Sequence, residues 1–197
     1  MDEKNDLFCD VSCRFFTKAG PANTEAVLDA VGRRAKELAI GRVVVATGSG
    51  RTAFEARRRL DPSLKVIAIS RVTGFKEPNF QELSGEDRLK LAAEGVVVHT
   101  CAHAFGGVGR GIRIKLGAYQ VDEVMAFTLR IFGHGTKVAV EIAMMAADAG
   151  LIRTDEDVIA IGGTGRGADT ALVLRPAISS KLFELKVKEV ICKPANL

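Results

Sequence analysis

Short β-branched runs alternate along this chain with stretches whose apolar residues recur every three or four positions. Val43 to Thr47, Val66 to Ser70 and Val96 to Thr100 are near-continuous apolar runs, the pattern of strands buried on both faces. Between them, Arg51 to Leu60 and Gly85 to Glu94 read as helices. The first is ended by Asp61-Pro62, and the second is opened by Ser84 and closed by Gly95. Ahead of the first strand, Val27, Leu28, Val31, Ala35 and Leu38 predict another helix, with Asn23 or Thr24 as its N-cap. This rhythm predicts βαβ units, a parallel sheet and right-handed crossovers.

Beyond Phe105 the pattern changes. Gly106, Gly107, Gly109 and Gly111 predict a glycine-rich loop, followed by a helix from Asp122 to Ile131. From Thr136 to Ala149 the chain is apolar nearly all round, through Val138, Val140, Ile142, Met144 and Met145, which predicts a buried central helix. A strand at Val158 to Ile161, a glycine loop at Gly162 to Gly167, a strand at Ala171 to Leu174 and an edge strand at Val187 to Cys192 complete the expectation. No internal repeat or Ser/Gly linker divides the chain.

Composition narrows the class. The 197 residues are 47% hydrophobic and 26% charged, enough for one substantial core. The net charge of +4 comes from 28 Lys and Arg scattered among 24 Asp and Glu, without the basic stripe that nucleic-acid binding requires. Cys9, Cys13, Cys101 and Cys192 are too few and too uneven for a disulfide framework, so a cytoplasmic protein is expected. Cys9 and Cys13 have no second ligand pair at zinc-site spacing, and no metal is expected. No apolar run approaches the ~20 residues needed to cross a bilayer, so no membrane partner is expected either.

Three stretches carry candidate chemistry. Thr47-Gly48-Ser49-Gly50-Arg51-Thr52 lies between a strand and a helix, where free helix amides, glycines and three side-chain donors suit a phosphate. A plain capped βα turn is the alternative, and the run is not a Walker loop because the spacing and the Lys are missing. Gly162-Gly163-Thr164-Gly165-Arg166-Gly167 resembles a dinucleotide fingerprint, but a strand rather than a helix is predicted next, which argues against that reading. This loop either approaches a ligand or simply joins two strands. Thr100 to Arg113, with His103, Phe105, Arg110 and Arg113, is either a mobile lid or a surface loop. Within the apolar helix, Glu141 lies one turn after Lys137 and must be paired or desolvated. His103 and Glu141 are the candidate catalytic groups, a structural ion pair is the competing role for Glu141, and His134 reads as a helix-cap partner.

The run Val43 to Ala53 resembles the start of the pyruvate kinase C-terminal domain, which carries a similar Thr-x-Ser-Gly-Arg-Thr/Ser-Ala run after a strand. In kinases regulated by sugar bisphosphates that loop holds an effector phosphate, which implies phosphate contacts for Thr47, Ser49, Gly50, Arg51 and Thr52. From about Phe16 the chain resembles stand-alone pyruvate kinase alpha/beta domain proteins. The likeness rests on Gly20 to Glu25, Thr73-Gly74-Phe75, Phe132 to Gly135, Lys137 to Ile142, Met145 to Asp148 and Gly162 to Thr170.

The resemblance implies a three-layer α/β/α fold, its sheet mostly parallel with an antiparallel edge strand, over residues 15–197 after an N-terminal extension, 1–14. It also implies flavin mononucleotide (FMN) as cofactor, held by Thr47 to Thr52, with Thr73, Gly74, Phe75, His103 and the Gly162, Gly163, Thr164, Gly165 and Arg166 loop around the rest. The expected partner is thus a phosphate-bearing small molecule. The alternatives are a non-enzymatic module binding a sugar phosphate effector and an oligomeric structural module, a homo-oligomer being compatible with any of these. Pyruvate kinase activity is not expected, because the kinase's catalytic residues belong to a barrel with no counterpart here. A flavin-dependent oxidoreductase remains open.

Overall fold

The computed structural model describes residues 8–195. Successive residues of a strand face opposite sides of its sheet, and apolar runs such as Val43-Val44-Val45 therefore need cover on both sides. Strands β1 (Arg14–Phe16), β2 (Arg42–Thr47), β3 (Lys65–Ser70), β4 (Val97–Thr100), β5 (Val158–Gly162), β6 (Thr170–Arg175) and β7 (Lys186–Pro194) form one sheet. Their order is β1-β7-β6-β5-β2-β3-β4. Val43, Val45, Val66, Ala68, Ile159 and Ile161 pack on one side against helices α1 (Thr24–Glu37), α2 (Arg51–Arg59) and α3 (Gly85–Ala93). Val44, Ile67, Ile69, Val158 and Ala160 pack on the other side, chiefly against α6 (His134–Asp148). The result is the expected three-layer α/β/α architecture. Among the described residues no helix is long and apolar enough to cross a membrane.

Strands β5, β2, β3 and β4 are mutually parallel, β6 is antiparallel to both β5 and β7, and β1 pairs in parallel with β7. One expectation is corrected here: the reversed strand, β6, lies inside the sheet. The Val187 to Cys192 run is an edge strand up to Ile191, and β1 pairs beyond it only at Cys192 to Pro194. The second glycine loop does lead into a strand, β6, as its composition predicted.

The stretch expected to be a loop up to Arg113 is helical from Val108: α4 spans Val108–Leu116 and α5 spans Val121–Arg130. Gly109 is a packing glycine there, since a Cβ would come within 2.1 Å of the Asp122 carboxylate on α5. Ser84 caps α3 as expected, accepting a hydrogen bond from the Asp87 amide at 3.0 Å. Thr24 and Asn23 do not cap α1 through their side chains. The Thr24 hydroxyl instead donates to the Pro21 carbonyl at 2.8 Å and accepts from the Ala168 amide at 3.0 Å, which ties α1 to the second glycine loop.

Candidate functional site

The chain leaves β2 through α2 toward β3 on one side, while the strand on the other side of β2 is β5, reached through α6 on the opposite face. The crevice between β2 and β5 is therefore a topological switch point, the place where open parallel sheets take ligands beyond their carboxyl ends. A cavity of about 790 Å³ lies there. Thr47, Gly48, Ser49, Arg51 and Thr52 line it from the first glycine loop, and Gly163, Gly165 and Arg166 from the second. Phe75, His103 and Glu141 also line it. Gly50, Thr73, Gly74, Gly162 and Thr164 are close in sequence to these groups but do not themselves line the cavity.

The first loop is shaped for a close backbone approach. Gly50 has φ of 91° at the N-cap of α2, and a Cβ there would come within 2.8 Å of Leu83. The Thr47 hydroxyl accepts from the Gly50 amide at 3.1 Å, which fixes the turn from inside. Helix α2 has no side-chain cap and no acidic residue in its first turn. The same holds for α6, whose first turn supplies His134 and Lys137 to the cavity wall. Two helix N-termini, each with unpaired amides and a partial positive charge, thus border one cavity.

In the second loop, the buried Asp169 carboxylate accepts from the Gly20 amide at 2.9 Å, the Thr164 amide at 3.0 Å and the Thr170 hydroxyl at 2.9 Å. The glycines let the backbone pass close to α6, for a Cβ on Gly162 would sit 2.2 Å from the Gly135 carbonyl oxygen. Loop and helix N-terminus are consequently locked in register.

Seven Lys and Arg side chains line the cavity against three Glu. Three of the basic groups went unremarked in the sequence: Arg71, Lys76 and Arg130. Arg71 follows the last residue of β3, a position at the carboxyl end of a parallel strand and the one signal that pointed to it. Its guanidinium donates to Glu82 at 2.8 Å and to the Gly165 carbonyl at 3.4 Å, so it bridges the segment after β3 to the second glycine loop. Lys76 also pairs with Glu82. The Glu82 carboxylate lies beside the first loop, 3.1 Å from where a Gly48 Cβ would stand. Burial works to raise its pKa, but the contacts with Lys76 and Arg71 outweigh that and hold it below the ordinary value.

Deeper in, Lys137 and Glu141 form a buried ion pair on α6, the structural pairing that their spacing suggested. Glu141 also accepts from the Phe105 amide at 3.0 Å, and His103 Nδ1 lies 3.8 Å from its other oxygen. Burial lowers the pKa of Lys137, with the Glu141 carboxylate pulling the other way, and burial lowers that of His103 against the same carboxylate. His134, at the start of α6, is likewise lowered by burial. His103 stacks on Phe75 with ring centroids 5.3 Å apart, and its buried Nε2 has no hydrogen-bond partner. The guanidinium groups of Arg71 and Arg110 lie 5.2 Å and 5.1 Å from the Phe75 ring centre. Ala46, Ile69, Val138, Ile142 and Met145 give the cavity an apolar side.

A family model described as pyruvate kinase, alpha/beta domain, matches residues 25–174. The chain belongs to this family. Among solved structures it is similar to a pyruvate kinase from Cryptosporidium parvum, at 15% identity with a TM-score of 0.41. That match covers 80% of this chain and 23% of the kinase, so this pyruvate kinase alpha/beta domain protein spans less than a quarter of the length of that enzyme. Both glycine loops fall inside the family match, whereas β1 and β7 fall outside it.

Proposed function

We propose that this pyruvate kinase alpha/beta domain protein binds flavin mononucleotide at the switch-point cavity, with the phosphate on the loop from Thr47 to Thr52. The observation that carries the reading is the two-sided character of the cavity. Its rim holds two uncapped helix N-termini and an excess of basic side chains, and its inner wall is apolar through Ala46, Ile69, Val138, Ile142 and Met145. A ligand that pairs a phosphate with a broad aromatic ring suits both halves, and the volume of about 790 Å³ is within the range of cofactor sites.

On this reading Ser49, Arg51 and Thr52 donate to the phosphate together with the first amides of α2. Phe75 and His103 stand beside the ring, Gly163, Gly165 and Arg166 close the second side, and Thr73, Gly74, Gly50, Gly162 and Thr164 shape the loops without lining the cavity. The unsatisfied buried Nε2 of His103 is hydrogen-bonding capacity that a polar ring edge would meet. When bound, a flavin supplies electron-transfer chemistry that the side chains alone do not offer. Glu141 holds Lys137 and lies 3.8 Å from His103 Nδ1, and on this reading a proton is given or taken at His103 Nε2.

The test is the visible absorbance of protein purified without added cofactor, followed by chromatography of what heat releases. FMN near one equivalent supports the reading. A colourless protein that takes up no flavin but is stabilised against heat by a sugar bisphosphate would replace it with the regulatory-module alternative.

A further inference from the structure

A helix on a protein surface normally turns its charged side to water. Helix α5 does the reverse: its exposed positions are Val121, Val124, Phe127 and Thr128, three apolar residues and one threonine. Val121, Val124 and Phe127 follow a spacing of three, and Ile131, just past the helix end, continues the stripe at 78% exposure. The helix is not short of cover on its inner side, where Ala126, Met125 and Leu129 join the core under α6. Beside the stripe, Tyr119 packs edge-on against Phe127 at 5.6 Å, and Leu116 is 71% exposed at the end of α4. Arg130 and Arg113 stack on Phe127 and Tyr119 at 5.1 Å and 5.2 Å, but on a helix already packed beneath, the aliphatic positions Val121, Val124 and Ile131 have no structural reason to be apolar.

We propose that this face is the contact between two copies of the chain, with α5 packing against α5 across a twofold axis. The area calls for a protein partner, and the self-complementary stripe makes that partner a second copy. From their exposed fractions, Leu116, Tyr119, Val121, Val124, Phe127 and Ile131 present roughly 700 Å². That lies just above the roughly 300–600 Å² usual for the largest patch on a monomer and is of the order of the about 800 Å² that each partner buries in a stable complex. A single stripe on one helix is also self-complementary, since an antiparallel pair of α5 helices brings the same residues together and opposes their dipoles. The contact touches the cavity through the chain: Arg130 at the end of α5 and Arg110 on α4 both line it. Pairing would steady one wall of the site, whatever ligand the site takes.

The experiment is analytical ultracentrifugation of the full chain at about 1 to 50 µM, alongside Val124→Glu, Phe127→Glu and, as a control, Phe183→Glu. Phe183 is 87% exposed and lies on the short helical turn Ser179–Glu184 rather than on the stripe. The expected result is a dimer for the wild type and for F183E, and monomers for V124E and F127E with unchanged far-UV circular dichroism. A wild type that stays monomeric across the range overturns the proposal, as does a dimer that survives both α5 substitutions or falls apart only with F183E. If both glutamate variants unfold, a short bismaleimide cross-linker on Val124→Cys in a Cys9→Ser, Cys13→Ser background decides: rapid formation of a covalent dimer, absent in that background without Val124→Cys, supports the contact, and its absence overturns it.

Discussion

The buried pair on α6 is the sharpest place to test the physical account of this site. Lys137 and Glu141 are each about 95% or more buried, and each charge has few other partners. Lys137→Met leaves the Glu141 carboxylate with the Phe105 amide and a histidine that can take up a proton in response. The loss should therefore fall near the lower end of the range for breaking a buried pair, about 3 kcal/mol. Glu141→Leu removes that acceptor as well and leaves an ammonium group 5.8 Å from the Phe105 ring centre as its nearest compensation, so a loss near 5 kcal/mol, about the upper end, is expected. With both replaced, no charge is stranded. The double variant then loses only what the orphaned Phe105 amide costs, about 1 to 3 kcal/mol. Urea unfolding followed by circular dichroism measures all three, and a double-mutant cycle isolates the coupling. Single losses under about 1 kcal/mol, or a double loss equal to the sum of the singles, would refute the reasoning.

Three further outcomes follow from the geometry. Glu82→Gln frees Arg71 and Lys76 beside the first glycine loop, so affinity for a phosphate-bearing ligand should rise by about tenfold in a fluorescence titration, roughly one charged contact's worth. Burial depresses the pKa of both His103 and His134, so the native state binds fewer protons than the unfolded chain, whose histidines titrate near 6.5. Stability should thus be full above that value and fall as the pH drops from about 7 toward about 5, and His103→Asn should flatten the fall. Burial pushes the Cys192 thiol up to about 12, so a thiol reagent at neutral pH should label exposed Cys9 in the native protein and reach Cys192 only on unfolding.

Much of this fold is legible in the sequence because its signals are local. The strands β2, β3 and β5 are apolar on both faces, and a buried parallel strand leaves no other pattern. Glu141 and Lys137 declare themselves as an (i, i+4) charge pair inside an apolar helix. The elements that escape notice depend on distant contacts. Strand β1 has three residues, all at least partly exposed, and exists by pairing with the far end of the chain at Cys192 to Pro194. Helix α4 contains Gly109 and Gly111, which argue for a loop by propensity, and it is the packing of Gly109 against Asp122 that decides otherwise. Likewise Arg71, Lys76 and Glu82 lie in an irregular segment with no period to read, and only the tertiary fold sets Arg71 and Glu82 around Gly48, with Lys76 paired to Glu82. The loop from Thr47 to Thr52 is legible as a phosphate candidate, and so are Arg110, Lys137 and Arg166, whereas Arg71, Lys76 and Arg130 are not.

The most direct test of the central claim is a titration of the flavin-free protein with FMN and with riboflavin, which differ by the phosphate, repeated with Arg51→Ala. Arg51 is largely exposed and pairs only with Glu55 among the described residues, so its loss should leave stability within about 0.5 kcal/mol. The account predicts one FMN per chain, riboflavin bound at least about tenfold more weakly, and a gap between the two that narrows in the variant. Equal binding of both flavins, or no binding of either, would contradict it.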